Sequence, residues 1–330
     1  MSLAITYDRT GDPAEVLRVN DIGDPGPPAD GQIQVKVAAF PIHPGDLLAI
    51  STPRTVHGDQ AAGVEATGEV ILTGGQVDRF APGNRVAFFP HAGAWAQVVN
   101  VDAALAVPVP DDVPDHVAAQ MLCNPITMLM LRRAAEQHFN VGFDGVVLNN
   151  VAASSVGRLF TASAEHHQIA TISLVRSDQR AEQLRDRFPS VPVISTSSHD
   201  WVNQVRTAAA GRPIPVVLDP VGGVGVTDLL TVLSPGGSLI IYGELAGEPM
   251  SLHAAALLHS GQVIRGMTIN RWFSAVAPEQ RISDVASAIT IATHFTQHFD
   301  VAGVYSLDRI ADAARHASQP GKIGTVVVTP

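Results

Sequence analysis

The chain is poor in cysteine, in aromatic side chains and in charge. Its one cysteine, Cys123, excludes an internal disulfide and any four-cysteine metal lobe. A lone thiol suits a reducing compartment, and a cytoplasmic protein is expected. Aromatic residues make up only 5% of the chain, so a binding cleft is expected to be lined by aliphatic groups. Charged residues make up 16% against 46% hydrophobic, which excludes an intrinsically disordered chain. Basic residues are the scarcer sign, 21 Lys and Arg against 31 Asp and Glu, for a net charge of −10. That balance argues against a nucleic-acid partner and against an anionic membrane surface. No apolar run approaches the length of a membrane-spanning helix, so no membrane partner is expected. The opening MSLAITYDRT lacks the basic-then-apolar order of a signal peptide.

What is present is an ordered change of pattern over 330 residues, enough for two domains. Residues 1–110 read as β-rich: IQVKVAAF (33–40) alternates, and AAGVEATGEVIL (61–72), NRVAFF (84–89) and GAWAQVVNV (93–101) follow between Gly/Pro turns. Residues 117–139 turn helical, with a break expected at Asn124-Pro125. Apolar strands at 145–150, 169–175, 191–195, 215–218 and 237–242 then alternate with helical stretches, which implies a parallel sheet with helices on both faces. A further strand is expected at 262–270, a helix over about 278–298, and a closing strand at GTVVVTP (324–330) that returns to the first domain. The fold class is therefore α/β, with a β-rich domain from 1–120 and 300–330 and a doubly wound domain over 121–299.

The most informative segment is Gly145 to Gly157. GVVLNN reads as a strand, AASSVG as a small-residue turn and RLFTASAEHH as a helix. A strand that restarts as a helix directs unpaired N–H groups and a partial positive charge at one spot, which favours a phosphate. In a βαβ unit that spot holds a dinucleotide pyrophosphate. Only Gly157 of the usual three glycines stands in the pattern, with Ser154 and Ser155 in the turn, so a plain βα turn is the competing reading. The next strand, IATISLV, ends at Arg176, where an NAD-binding protein places Asp or Glu. Arg176 and Arg180, one helical turn apart, are suited to grip a 2′-phosphate and point to NADPH. Their alternative is surface pairing with Asp178 or Glu182.

The order of these pieces resembles the medium-chain dehydrogenase/reductase superfamily, in its zinc-free quinone-reductase and 2-enoyl-thioester-reductase branch. The resemblance runs from PIHPGD (41–46) through GDQAAGVEATGEV (58–70), FAPGNRVAFF (80–89), CNPITMLML (123–131), LNNVAASSVG (148–157), LVRSDQR (174–180), LDPVGG (218–223), GGSLIIYGEL (236–245) and RGMTINRW (265–272) to PGKIGTVVV (320–328). It implies a GroES-like domain plus a Rossmann domain. It also implies that Asn124 and Thr127 contact the nicotinamide end of NADPH, and that Ser154, Ser155 and Val156 hold the pyrophosphate. Tyr242, Gly243, Met267 and Ile269 would flank the nicotinamide, and Lys322 would close the site. For Tyr242 the alternative is a sheet-end aromatic, and for Lys322 a solvated turn residue. The family's dimers, joined by edge strands, make a homodimer through strand 262–270 the expected assembly.

The chain departs from this family at one point. Enoyl-thioester reductases of this type carry a tyrosine in the loop after P-I-N-P-x-D, and it is thought to donate the proton. Here the loop 47–59 contains none, and Arg54 stands roughly in its place, as an enolate stabiliser or as a solvated loop residue. Tyr7, Tyr242 and Tyr305 are all distant in sequence. The expected activity is hydride transfer from NADPH to a small quinone or activated C=C substrate. Two alternatives remain: a zinc alcohol dehydrogenase using His43, Asp59 and Cys123, with Gln60 where a Glu is usual, and a non-catalytic NADPH-binding homologue.

Overall fold

The computed structural model describes residues 1–139, 145–252 and 254–330. Two compact units form, Met1–Cys123 with Val285–Pro330, and Asn124–Asp284.

The first unit contains, in chain order, β1 (Leu3–Tyr7), α1 (Pro13–Val16), β2 (Arg18–Asp21), β3 (Gln32–Ile42), α2 (Pro44–Ser51), β4 (Gln60–Ala61), β5 (Ala66–Thr73), β6 (Arg85–Phe88), β7 (Val98–Asp102), β8 (Ala106–Pro108) and α3 (Asp115–Ala118). The long strand β3 is its spine. Its alternation buries Val35, Val37 and Ala39 while Lys36 and Ala38 stay exposed. It pairs antiparallel with both β5 and β7. Trp95, fully buried, stacks on Phe40 at 5.4 Å and donates from Nε1 to the Pro41 carbonyl at 3.1 Å. Gly63 is required beside it, because a Cβ there would lie 2.0 Å from the indole.

The second unit holds α4 from its second residue on (the helix spans Cys123–Phe139), then β9 (Val147–Asn149), α5 (Ser155–His166), β10 (Thr171–Val175), α6 (Asp178–Arg187), β11 (Val193–Ser195), α7 (Trp201–Ala209), β12 (Val216–Asp219), α8 (Val226–Val232), β13 (Ser238–Ile241), α9 (Ala254–Ser260), β14 (Val263–Gly266) and α10 (Ile269–Ala275). Its six strands run in the order β11-β10-β9-β12-β13-β14, and every pairing is parallel. The β-strands 147–149 and 216–219 are adjacent although far apart in sequence, so the winding reverses between them. The crevice beyond the carboxyl ends at such a reversal is where open α/β sheets bind ligands.

The chain division falls inside α11 (Pro278–His294); β15 (Val301–Ser306), α12 (Ile310–Ser318) and β16 (Thr325–Thr329) follow in the first unit. The closing strand β16 lies between β15 and β3, parallel to the former and antiparallel to the latter.

Three local expectations change. Asn124-Pro125 does not break a helix; it forms the first turn of α4, where proline removes no helical hydrogen bond. The expected strand 262–270 stops at Gly266, because Thr268 caps α10 by accepting from the Asn270 amide at 3.3 Å. Helix α11 ends at His294, and a separate 3-10 turn covers Thr296–His298.

Candidate active site

In the second unit the sheet's switch point is built by a fixed set of hydrogen bonds. Ser154 is the N-cap of α5, and its side chain accepts from the Gly157 amide at 3.1 Å. A Cβ on Gly157 would stand 2.6 Å from the Val151 carbonyl oxygen and 2.8 Å from Ala152 Cα, so only glycine lets the helix start this close to the strand. Ser155 and Val156 form the first turn. The result is a capped helix N-terminus with the close backbone approach that a pyrophosphate needs, and the residues present fit a bound dinucleotide. Asp219, fully buried at the end of β12, ties the crevice together. It accepts from Asn150 Nδ2 at 2.8 Å and from the Val221 and Gly222 amides at 3.0 and 2.9 Å.

Tyr242 follows β13, and its amide donates to the Asp219 carbonyl at 3.0 Å. Its hydroxyl is buried without a well-aligned partner among the described residues. Burial first, and then the Asp219 charge, push the phenol pKa well up, while Ser154 lies near enough to pull it partly back. Gly243 packs on Pro220, where a Cβ would meet the carbonyl at 2.7 Å. The Met267 amide donates to the Ile241 carbonyl at 2.8 Å, which carries the chain past β13 to Ile269, the first residue of α10. Asn124 is buried and Thr127 half-buried in α4. Arg176, one residue beyond β10, is exposed and has no ion pair or hydrogen bond among the described residues, including none to Asp178 or Glu182. Arg180 is half-buried, with Nη1 donating to Gln183 at 2.6 Å.

In the first unit the sequence missed the central residue. Glu65 is fully buried and accepts from the Leu122 and Cys123 amides at 2.8 and 3.0 Å through Oε1. Its Oε2 lies 2.6 Å from His43 Nε2. Asp46, in the first turn of α2, accepts from the amide of the N-cap residue His43 at 2.9 Å. Burial lowers the His43 pKa, but the hydrogen bond and charge of Glu65, with the charge of Asp46, outweigh it and leave the pKa raised. Burial pushes the Asp46 carboxyl up to about 6, against the pull of His43. Lys322 lies close enough to oppose the His43 charge, and its Nζ donates to the Gly324 carbonyl at 3.3 Å. The available signal was an acid, Glu65, set among the small and apolar residues Ala61 to Ala66.

These positions correct the metal alternative. Asp59 is exposed, and the donor atoms within 4.8 Å of one another belong to His43, Glu65 and Cys123. An imidazole, a carboxylate and a thiol are groups that zinc accepts. Here, however, the carboxylate already meets two amides and the imidazole, and ligation through Oε2 would break its bond to His43. As arranged, the trio is a hydrogen-bonded network that does not fit a resident zinc ion. Arg54 is exposed but tethered: Nη1 donates to the Ala49 carbonyl and Nη2 to the Tyr7 hydroxyl, each at 2.6 Å. The fold therefore brings a tyrosine to a loop that has none of its own.

A parallel sheet wound in this way, with a capped helix at its switch point, defines a dinucleotide-binding protein. Residues 29–111 match the alcohol dehydrogenase GroES-like domain family, and residues 155–289 match the zinc-binding dehydrogenase family. The chain belongs to the medium-chain dehydrogenase/reductase superfamily, in its zinc-free branch. It is 27% identical to the mitochondrial enoyl-[acyl-carrier-protein] reductase of Arabidopsis thaliana, over 83% of this chain and 73% of that one. With the corresponding protein of Mus musculus it shares 26%, over 84% and 75%. A mycobacterial structure complexed with NADPH superposes with a TM-score of 0.84 at 25% identity, covering 99% of this chain and all (100%) of the other. The Escherichia coli quinone oxidoreductase complexed with NADPH gives 0.85 at 21% identity, over 99% and 100%, a likeness of fold.

Proposed function

We propose that the protein is an NADPH-dependent reductase acting on a quinone or an activated C=C bond. The observation that carries this reading is the capped, glycine-tight turn of Ser154 to Gly157 at the switch point, with Arg176 unpaired one strand away. Relatives described as mitochondrial enoyl-[acyl-carrier-protein] reductases and a neighbour described as complexed with NADPH support it. When bound, the cofactor supplies a hydride. Ser154, Ser155 and Val156 hold the pyrophosphate, Arg176 and Arg180 the 2′-phosphate, and Asn124 and Thr127 the nicotinamide end. Tyr242, Gly243, Met267 and Ile269 flank the nicotinamide, and Lys322 closes the site. The test is anaerobic NADPH oxidation with an ortho-quinone and a short enoyl thioester in parallel, with NADH as control. Turnover with either acceptor is expected. Tight NADPH binding without turnover would leave the non-catalytic reading.

Arg176 decides cofactor choice. Loss of a charge-assisted phosphate contact costs about 1.5–3 kcal/mol, so Arg176→Ala is expected to raise the NADPH KM by roughly 10- to 100-fold. The NADH KM, which involves no 2′-phosphate, stays unchanged in the same assay.

We also propose a homodimer joined through β14, the edge strand of the parallel sheet. Val263 on this strand is 50% exposed, and Leu258 and Phe273 just before and after it are 78% and 44% exposed. An open apolar edge of this kind supports pairing with a second copy. Val263→Lys is expected to yield a monomer by size-exclusion chromatography with light scattering. The lone cysteine supports a reducing, cytoplasmic setting. Among the described residues, no helix is long and apolar enough to cross a membrane.

A further inference from the structure

The carboxyl ends of β10 and β11 lie side by side, with Val175 level with Ser195. The Thr196 amide and hydroxyl both donate to the Val175 carbonyl, at 2.8 and 3.3 Å, and fix the chain after β11 beside the strand end that leads into α6. Three side chains there form a directed series. Ser197 Oγ donates to Asp178 Oδ1 at 3.1 Å. A hydroxyl has one proton, so the 2.7 Å contact between the two serines runs from the Ser195 hydroxyl to Ser197 Oγ. Ser195 is 5% exposed, and its Oγ also accepts from the Ser197 amide at 3.3 Å. Asp178, the first residue of α6, is thus tied to the end of the neighbouring strand. Ser197 is its one hydrogen-bond partner among the described residues, and no ion pair joins it to Arg176, two residues earlier.

The two groups make opposite demands on a dinucleotide. At this strand end an arginine accommodates a 2′-phosphate, whereas an acid accepts from the free ribose 2′-hydroxyl of NAD. This chain carries both within three residues, Arg176 and Asp178. A released Asp178 carboxylate would either pair with Arg176 or face the phosphate, and each cancels attraction that NADPH needs. We propose that Ser197 sets the preference for NADPH over NADH by holding Asp178 away from Arg176, an inference that rests on Arg176 as the ligand of the 2′-phosphate. Ser197 is a positioning residue. It acts through Asp178, so its loss costs nothing once residue 178 carries no charge.

Fluorescence titration of the full chain with NADPH and with NADH compares wild type, Ser197→Ala, Ser197→Thr, Arg176→Ala and the double variant Ser197→Ala/Asp178→Asn. Ser197→Ala is expected to raise the NADPH Kd by about three- to tenfold, the scale of one solvent-exposed charge contact, while the NADH Kd stays the same or falls. Ser197→Thr keeps the hydroxyl, and the double variant removes the charge; both are expected within about twofold of the wild-type NADPH Kd. Recovery in the double variant, which still lacks the Ser197 hydroxyl, separates a released charge from a damaged loop. A rise of less than about threefold in Ser197→Ala, or equal weakening of both cofactors, overturns the proposal. So does a double variant that binds NADPH no better than Ser197→Ala. Arg176→Ala tests the underlying reading. If it weakens NADPH binding while Ser197→Ala does not, the role of Ser197 alone falls. If it leaves NADPH binding unchanged, the assignment of the 2′-phosphate to Arg176 falls, and the proposal with it.

Discussion

Glu65→Ala is expected to destabilise the β-rich unit by about 3–5 kcal/mol, the cost of removing one partner from a buried charged pair. The loss is large because one carboxylate meets three donors, the Leu122 and Cys123 amides and His43, with no exposure to water. Its removal leaves buried donors unpaired, which solvent does not repair. A drop of roughly 10 °C or more in the thermal midpoint follows. Glu65→Gln keeps the shape and one oxygen acceptor, so its loss is smaller, and it separates charge from packing. The pH dependence has a definite sign. A folded-state pKa raised above its ordinary value contributes stability that is complete below that ordinary value and fades as pH rises through the raised one. His43, raised above 6.5, is of this kind, and so is Asp46, raised from 3.8 to about 6. The wild-type midpoint is expected to fall as pH rises through the ordinary imidazole value of 6.5 and above it, with a shallower slope in Glu65→Gln. Calorimetry across that range checks both; an unchanged slope in Glu65→Gln would remove His43 from the account.

Gly157→Val is expected to weaken NADPH binding by about 100-fold or more, equivalent to roughly 2.7 kcal/mol. Any Cβ at this position meets backbone atoms at 2.6 and 2.8 Å, and backbone does not swing aside as a flexible side chain does. The turn must open, so Ser154 loses its bond to the Gly157 amide and the first-turn amides leave their common focus. Ser154→Ala is the milder companion: it removes one cap, worth about 0.5–2 kcal/mol of helix stability, and leaves the glycine contact intact. Fluorescence titration of NADPH with both variants ranks them. Equal affinity for wild type and Gly157→Val would mean that the turn does not bind the pyrophosphate.

Local pattern made much of this protein legible. The alternation of apolar strands and helical stretches after residue 145 appears as the parallel sheet, and Gly157 stands at the turn the sequence picked out. What local pattern missed depends on register and long-range contact. Glu65 reads as one acid in a β-rich run until a backbone 57 residues away places the Leu122 amide on it. Tyr7 and Arg54 are 47 residues apart, and no periodicity links them. Asp59 looked like a ligand because it stands in the right motif, yet its side chain faces solvent. At Thr268 a short cap decided a boundary that an apolar run had blurred.

The place of β16 sets the order in which the molecule can be made. Residues 326–328 pair with 40–42 of β3, while β15 joins on the other side of β16. Until residues 325–329 are made, that stretch of β3 lacks its partner, and the first unit stays incomplete. The second unit, continuous from Asn124 to Asp284, has all its strands earlier. The half begun first is thus the half finished last, and a chain cut before residue 325 keeps every strand of the parallel sheet while its β-rich unit lacks an interior strand.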